Sequence, residues 1–310
     1  MKVLVTGISG FAGTYLVEHL IDQGYEVYGS VQSSRNWEFK NQVETFEGDL
    51  IDQKFVAKLI KKTDADFVFH LAAYTSPAQS VNQAFVTLTN NIGITVNLLE
   101  ELKNSRAKVL LIGSVDEYGI VESGENPVRE TNSMRPTNPY AVSKITQDYL
   151  GLQYFLSQKM KIVRVRPGNH TGPGQRPDFV IPAFARQIAL IENGKQEPTI
   201  KVGNLEAERD FTDVRDIVQG YHLAVLKGKP GEVYNLGSGK SVKIRKILDS
   251  LISLSEVKVR IDIDLSKKRS IDIPKIEIDS SKFRQLTGWK PKIKLDQTLN
   301  DVLNYWRNNV

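Results

Sequence analysis

The sequence predicts an α/β fold in which helices cover both faces of a doubly wound parallel β-sheet. In the first half of the chain, short β-branched apolar runs alternate with longer segments whose apolar residues return every three or four positions. A glycine-rich turn directly follows the first apolar run. Together these features are typical of doubly wound sheets, which bind ligands at the carboxyl ends of their strands.

The predicted elements follow one another through the first 170 residues. The strands are expected at Lys2–Thr6, Glu26–Val31, Glu44–Glu47, Phe67–Leu71, Lys108–Ile112 and Lys161–Arg166. The helices are expected at Ala12–Gln23, Gln53–Lys61, Thr89–Asn104 and Tyr140–Gln158. Beyond these elements the alternation weakens and turn signals become frequent, although Asp213–Leu226 and Val233–Leu236 could return to the main sheet.

Composition excludes several classes of function. The chain has 310 residues, 40% of them hydrophobic, and no cysteine, which rules out disulfides, thiolate metal sites and cysteine nucleophiles. The net charge of +5 comes from scattered basic residues, so we expect no nucleic-acid partner. No leader precedes Lys2, and no apolar run approaches the ~20 residues that cross a bilayer. We therefore expect a cytoplasmic protein with no membrane partner.

The first turn carries glycines at Gly7, Gly10 and Gly13, with Phe11 between them. Glycines let the backbone approach a pyrophosphate, whose charge lies against free N–H groups at a helix N-terminus. Three glycines could also serve only a tight turn, but their position at the first strand–helix junction favours a dinucleotide. We therefore expect a Rossmann domain over residues 1–168, with parts of 212–238, and a smaller C-terminal substrate-binding region mainly within 169–310.

The end of the second predicted strand bears on the choice of cofactor. An acidic residue there would bind the adenosine ribose hydroxyls and favour NAD(H). This chain instead has Ser33, Ser34 and Arg35, which favour the 2′-phosphate of NADP(H), so NAD(H) is the less favoured cofactor. The alternative is that these residues form a solvated loop.

Tyr140 and Lys144 lie four residues apart, and therefore on one face of a predicted helix. An ammonium group beside a phenol lowers the phenol's pKa from about 10 and lets it exchange protons near neutral pH. Ser114, at the end of the fifth predicted strand, could hydrogen-bond the same substrate oxygen. No metal is expected, because His70 and His170 lack metal-ligand spacing and are expected to serve packing or hydrogen bonding.

Taken together, these motifs resemble those of the extended short-chain dehydrogenases/reductases over essentially the whole chain. The matching residues are Gly7, Gly10, Gly13, His70-Leu71-Ala72-Ala73, Ser114, Tyr140 and Lys144. The resemblance implies that Asp49 and Leu50 flank the adenine and that Asn91 is a structural or cofactor-side residue. It also implies that the cofactor contacts Phe11, Leu71, Ala72, Ala73, Tyr140 and Lys144. With the apolar surface of the third and fourth predicted helices, it also implies a homodimer joined by a four-helix bundle.

Segments 166–175, 203–216 and 287–291 resemble one branch of this family, the reductases of GDP-4-keto-6-deoxy-D-mannose that form GDP-D-rhamnose. The resemblance implies a GDP-sugar substrate whose diphosphate and nucleoside are held by Asn169, Arg209 and Arg269. Arginine suits this role because its planar fork pairs with phosphate oxygens.

The carboxylates near Ser114 separate two reactions. Related dehydratases carry a glutamate as acid and base in a segment like Thr-x-Glu-x-Tyr-Gly, and the matching position here is Asp116. Aspartate reaches one methylene less, which favours a reductase. A one-residue shift would bring in Glu117 and keep open GDP-mannose 4,6-dehydration, or the reaction of another sugar-nucleotide dehydratase or epimerase. A non-catalytic nucleotide sensor is a further alternative, against which intact Ser114, Tyr140 and Lys144 argue.

Overall fold

The strands and helices are defined over residues 1–33, 42–264 and 271–310, which the computed structural model describes. The strands are β1 (Lys2–Thr6), β2 (Glu26–Val31), β3 (Glu44–Glu47), β4 (Phe67–His70), β5 (Lys108–Ile112), β6 (Lys161–Pro167), β7 (Asn169–Thr171), β8 (Thr199–Val202), β9 (Glu208–Asp213), β10 (Val233–Leu236), β11 (Ser241–Lys243), β12 (Arg260–Ile263) and β13 (Lys275–Ile276). The helices are α1 (Phe11–Asp22), α2 (Gln53–Thr63), α3 (Pro77–Asn82), α4 (Ala84–Leu102), α5 (Pro139–Gln158), α6 (Val180–Glu192), α7 (Val214–Lys227), α8 (Ile244–Ser253), α9 (Ser281–Thr287) and α10 (Leu295–Arg307).

The main sheet has seven parallel strands in the order β10-β6-β5-β4-β1-β2-β3. Apolar side chains of α1 and α7 cover one face, while those of α2, α4 and α5 cover the other. This burial on both faces explains why β1 and β5 are almost continuously apolar rather than alternating. The predicted doubly wound Rossmann fold is confirmed, and all six predicted strands lie in this sheet.

One helix differs clearly from its predicted bounds. The helix expected at Thr89–Asn104 extends over Ala84–Leu102 and directly follows α3, which the periodicity did not predict. The Ser76 side chain accepts a hydrogen bond from the Gln79 N–H at 3.3 Å, and Pro77 occupies the first turn of α3. A capping serine followed by proline is a helix-start signal that such a short segment hides from periodicity analysis.

Two segments from the second half join the main sheet. β10 pairs with β6 at the sheet edge, and α7 packs against α1, β5 and β6. The other elements form a sheet of β11, β9 and β13 with β7 beside β9, and a β8–β12 pair. Helices α6, α8 and α10 enclose a separate apolar core. The limits of the two domains stay a prediction.

The chain brings two segments together above the carboxyl end of β5. A short 3-10 turn, Val115–Glu117, follows this strand. Helix α5 begins nearby, where the Asn138 side chain accepts the Ala141 N–H at 2.9 Å and Pro139 occupies the first turn. No helix in the described parts of the chain is both long and apolar enough to cross a membrane.

Candidate active site

A large cleft lies at the carboxyl ends of the main-sheet strands. Its volume is about 1030 Å³. The cleft is walled by the turn after β1, the ends of β2, β4 and β5, the start of α5 and the segment that follows β6. This is the edge at which doubly wound folds bind their ligands.

The first turn forms a close-fitting cradle at this edge. Gly7 has φ +68°, and a Cβ there would lie 2.8 Å from the Cα of Ala72. A Cβ on Gly13 would lie 2.5 Å from the Gly7 carbonyl oxygen. Helix α1 then begins at Phe11 and has no side-chain cap, which leaves backbone N–H groups for a phosphate. The cradle therefore fits the pyrophosphate of a dinucleotide.

Most of the residues expected to contact a cofactor line the same cleft. These are Gly7, Gly10, Phe11, Gly13, Asp49, Leu50, Leu71, Ala72, Ala73, Tyr140 and Lys144. Asn91 is fully buried beside the cleft, where its side chain hydrogen-bonds the Tyr74 backbone and the Ser143 hydroxyl. Its contacts with the protein are therefore structural ones.

The end of β2 and the residue after it border the cleft where the cofactor's adenosine is expected. Ser30, Val31 and Gln32 line the cleft there, while Ser33 is exposed to solvent. Ser34 and Arg35 lie outside the described residues. Between Val27 and Ser33 the sequence carries no carboxylate that would repel a 2′-phosphate.

The predicted catalytic residues meet at the centre of the cleft. Tyr140 and Ser114 both line the cleft, where the Ser114 side chain acts on the Tyr140 hydroxyl. The Lys144 Nζ donates to the Ile112 carbonyl at 2.8 Å and lies 5.9 Å from the centroid of the Tyr140 ring. A phenol, a hydroxyl and an amine thus converge where β5 and α5 meet.

The expectation that Lys144 lowers the pKa of Tyr140 is wrong, because this pKa is raised. Burial raises the pKa of Tyr140 above the usual range, and the charge of Asp116 adds to this, whereas the Ser114 hydrogen bond opposes it. Burial also lowers the pKa of Lys144 to about 8, against the opposing influence of Glu117. Desolvation disfavours both charged forms and outweighs the expected effect of Lys144 on the phenol. The protein therefore holds Tyr140 as a neutral phenol that can donate a proton.

The two neighbouring carboxyl groups face different environments. Asp116 lines the cleft. Glu117 is fully buried, and its Oε1 accepts the Ser114 N–H at 2.7 Å. Its Oε2 lies 2.8 Å from the Nε of Arg166. The turn therefore places Asp116 in the cleft, and the one-residue shift that would bring Glu117 there does not occur.

The residues expected to bind substrate are not all brought together. Asn169 begins β7 and lines the cleft. Arg209 lies on β9, away from the cleft lining, where its guanidinium donates to the Ile273 carbonyl at 2.7 Å and pairs with Asp272 at 3.2 Å. Arg269 lies outside the described residues.

His70 and His170 make the hydrogen bonds expected of them. Within the main sheet, His70 contacts the Thr6 and Thr95 hydroxyls. In the cleft wall, His170 contacts the Gly168 carbonyl and stacks parallel to Phe11. The residues described contain no group of three or more acidic, histidine or cysteine side chains that could hold a metal ion.

Several aromatic residues of the cleft wall were not predicted, among them Phe179, Tyr221 and Tyr305. Phe179 precedes α6, Tyr221 lies on α7, and Tyr305 lies near the end of α10. Tyr221 and Tyr305 belong to helices whose periodic pattern gives no sign of which side chain reaches a cleft. The Gly172-Pro173-Gly174 turn signalled a bend before Phe179 but not its direction.

Comparison with known proteins places this geometry in a family. The family model for GDP-mannose 4,6 dehydratase matches residues 4–302. GDP-6-deoxy-D-mannose reductase of Pseudomonas aeruginosa is 32% identical over all of this chain and 98% of its own length. Human GDP-mannose 4,6 dehydratase is 25% identical, over 97% of this chain and 90% of its own length.

Solved structures agree with this assignment. The structure of RMD from P. aeruginosa complexed with NADPH superposes with a TM-score of 0.88 at 32% identity, over 100% of both chains. The UDP-glucose 4-epimerase of Thermotoga maritima, solved with UDP-glucose, gives a TM-score of 0.91 at 26% identity, over 100% of this chain and 99% of its own. The chain therefore belongs to the GDP-mannose 4,6 dehydratase family of extended short-chain dehydrogenases/reductases, whose known members here are sugar-nucleotide reductases, dehydratases and epimerases.

Proposed function

We propose that this enzyme uses NADPH to reduce the C4 ketone of GDP-4-keto-6-deoxy-D-mannose, forming GDP-D-rhamnose. The full-length similarity to GDP-6-deoxy-D-mannose reductase supports this substrate, and the NADPH complex of RMD supports the cofactor. The observation that carries the choice of reaction is the turn after β5, which presents Asp116 to the cleft and buries Glu117.

That observation favours reduction for a chemical reason. Dehydration needs a carboxyl group within about 3 Å of the groups that exchange protons as water leaves. Asp116 is one methylene shorter than the glutamate of related dehydratases, and the neighbouring glutamate is held behind the turn by the Ser114 N–H. Reduction makes no such demand, because its proton comes from a hydroxyl.

The chain's own groups suit the reduction. Bound NADPH supplies the hydride for C4. The Tyr140 hydroxyl donates its proton to the C4 oxygen, and the Ser114 hydroxyl, which lines the same cleft, holds that oxygen. The Lys144 ammonium stabilises the negative charge that develops on the phenol oxygen. The raised pKa of Tyr140 keeps it in the neutral form that can donate this proton.

Two incubations of the purified enzyme test the proposal. Given the 4-keto-6-deoxy intermediate and NADPH, the enzyme should oxidise NADPH and form a GDP-6-deoxyhexose, identified by mass spectrometry and NMR. Given GDP-mannose and catalytic NADP⁺ alone, it should form no keto product. Accumulation of that product would assign the enzyme to the dehydratases, and epimerised sugar nucleotides would assign it to the epimerases. Ligand binding without turnover would identify a nucleotide sensor.

The candidate substrate-binding residues stay proposals of unequal support. The position of Asn169 in the cleft supports its contact with the sugar nucleotide. Arg209 is engaged with Asp272 and would have to exchange that partner to meet a phosphate. Arg269 stays a prediction from the sequence, as does a cytoplasmic location.

We also propose that the enzyme is a homodimer joined through α4 and α5 from each protomer. These helices pack side by side, and their outer faces expose Phe85, Val86, Tyr149 and Leu156. A second copy of the same faces would bury these side chains in a four-helix bundle. Light scattering after size exclusion should give twice the chain mass of 34.9 kDa, and Tyr149→Glu should shift it toward the monomer. A monomeric wild-type protein would contradict the proposal.

A further inference from the structure

A cluster of buried charges lies behind the candidate catalytic turn. It consists of Glu117, Asp148, Arg164 and Arg166, whose side chains are at most 7% exposed. The Asp148 carboxylate accepts hydrogen bonds from both arginines. The one from Arg166 Nε measures 2.9 Å. The Arg166 Nε–H donates to Asp148, so the 2.8 Å contact between Arg166 Nε and Glu117 Oε2 is electrostatic and not a hydrogen bond. None of the four lines the cleft.

Glu117 connects this cluster to the cleft. Its Oε1 accepts the Ser114 N–H at 2.7 Å, while the Ser114 Oγ accepts the Asp116 N–H at 3.1 Å. This reciprocal pattern is a capping box, which fixes the start of a helical turn. The side chains of Ser114 and Asp116 therefore owe their positions in the cleft to a carboxyl group on the opposite side of the turn.

Glu117 also acts electrostatically on the candidate catalytic pair. The Lys144 Nζ is held at the Ile112 carbonyl, and the Glu117 Oε1 is held at the N–H of Ser114, two residues further along the same segment. When Glu117 is ionised, its charge opposes the effect of burial on the pKa of Lys144, because an ammonium is more stable near a carboxylate. The same charge disfavours the phenolate of Tyr140. Burial and the Asp148 charge raise the pKa of Glu117, whereas Arg166 and the Ser114 N–H lower it. The ionisable groups around Glu117 are Asp116 and Tyr118 on its own segment, Tyr140, Lys144 and Asp148 on α5, and Arg164 and Arg166 on β6. Glu130 acts on Tyr118.

We propose that Glu117 is a positioning residue of the reduction, which fixes Ser114 through its backbone N–H and acts through Lys144 on the proton-donating hydroxyl of Tyr140. The inference rests on the proposed reductase function for its link to turnover. Its physical content, the influence of Glu117 on Lys144, can be measured without turnover. An ion pair that served only stability would leave the protonation of Lys144 unchanged.

The test measures Lys144 directly. The folded protein is labelled with trace acetic anhydride, which acylates neutral amines, across pH 6–10, and the labelling of Lys144 is quantified by mass spectrometry. Glu117→Gln keeps an oxygen for the Ser114 N–H but removes the charge, so the labelling midpoint of Lys144 should fall by about one pH unit. Glu130→Gln is the matched control, because Glu130 accepts the Asn235 N–H at 2.7 Å but contacts neither Ser114 nor Lys144. An unchanged midpoint in folded Glu117→Gln would overturn the proposal.

Turnover provides the second measurement. At pH 9, Glu117→Gln should reduce the ketone about tenfold more slowly than wild type, as a one-unit shift requires, with a smaller change at pH 6.5. Failure of the wild type to reduce the ketone would contradict the proposed function and leave the labelling result to decide the role of Glu117.

A further variant separates position from charge. Glu117→Asp keeps the charge but draws the carboxyl away from the Ser114 N–H. Its kcat should fall with little change in the pH profile or in the NADPH dissociation constant measured by fluorescence. If Glu117→Gln does not fold, judged by circular dichroism, this variant still decides the positioning role, since wild-type kcat and KM in Glu117→Asp would refute it.

Discussion

The segments that follow β1 and β4 approach each other closely at Gly7, which gives a quantitative prediction for Gly7→Ala. Gly7 has φ +68°, and an added Cβ would lie 2.8 Å from Ala72 Cα and 2.9 Å from Ala72 N. Both are backbone atoms of the segment that follows β4, so no side-chain rotation can move them aside. Gly24 offers a matched control, because its φ is +77° and no atom lies within 4 Å of its Cβ position.

The two substitutions separate the cost of backbone strain from that of collision. Left-handed backbone costs a non-glycine residue about 1–2 kcal/mol, so Gly24→Ala should lose that amount. Collision with packed atoms adds about 1–3 kcal/mol, so Gly7→Ala should lose about 2–5 kcal/mol in all. With an unfolding entropy of about 2.1 cal/mol/K per residue, 1 kcal/mol corresponds to about 1.5 °C for this chain.

Thermal unfolding and NADPH binding check this reasoning. Gly24→Ala should lower the Tm by about 2 °C and leave the NADPH dissociation constant unchanged, since Gly24 is remote from the cleft lining. Gly7→Ala should lower the Tm by about 3–7 °C and weaken NADPH binding at least tenfold, because relief of the collision displaces the phosphate cradle. Equal Tm losses in the two variants, or wild-type NADPH affinity in Gly7→Ala, would refute it.

Four further predictions concern the reaction. Tyr140→Phe should lose at least a thousandfold in kcat while binding NADPH like wild type; retained turnover in a stopped assay would exclude the phenol as proton donor. The rate of ketone reduction should decline as pH rises through about 8, because Lys144 is charged below its lowered pKa and neutral above it; a rate that increases through this range would contradict that role. Arg35→Ala should raise the KM for NADPH and not for NADH, and equal effects on both would remove the 2′-phosphate contact. Asp116→Glu should gain slow dehydration of GDP-mannose, detected as keto product with NADP⁺; no gain would mean that other pocket differences separate the two reactions.

The main-sheet strands were predictable because their physical signal is local. Most are short apolar runs between polar turns, and burial on both faces makes the runs of β1 and β5 nearly continuous. Likewise, the spacing of Tyr140 and Lys144 on a helix determines their common face whatever the tertiary structure. By contrast, α3 is only six residues long, too short for apolar periodicity to appear.

Other features depend on the three-dimensional environment. Asp116 and Glu117 are adjacent acids, and only the geometry of the 3-10 turn decides which one meets the cleft. The pKa of Tyr140 depends on how deeply α5 is packed, a quantity that the spacing of Tyr140 and Lys144 does not contain. Arg209 similarly finds its partner in Asp272, 63 positions further along the chain.

The buried charge cluster behind the candidate catalytic turn also limits how this chain can change through evolution. Removing one member of a buried ion pair leaves a charge without its partner, at a cost of about 3–5 kcal/mol, which is a large part of a typical protein's stability. Asp148 is shared by two arginines on alternate positions of β6, so its loss would deprive Arg164 of this carboxylate and leave Arg166 beside Glu117 alone. Single substitutions are therefore disfavoured, whereas stability alone would permit simultaneous replacement by apolar side chains of similar volume. Among descendants of this sequence, residues 117, 148, 164 and 166 should accordingly change together or remain as they are.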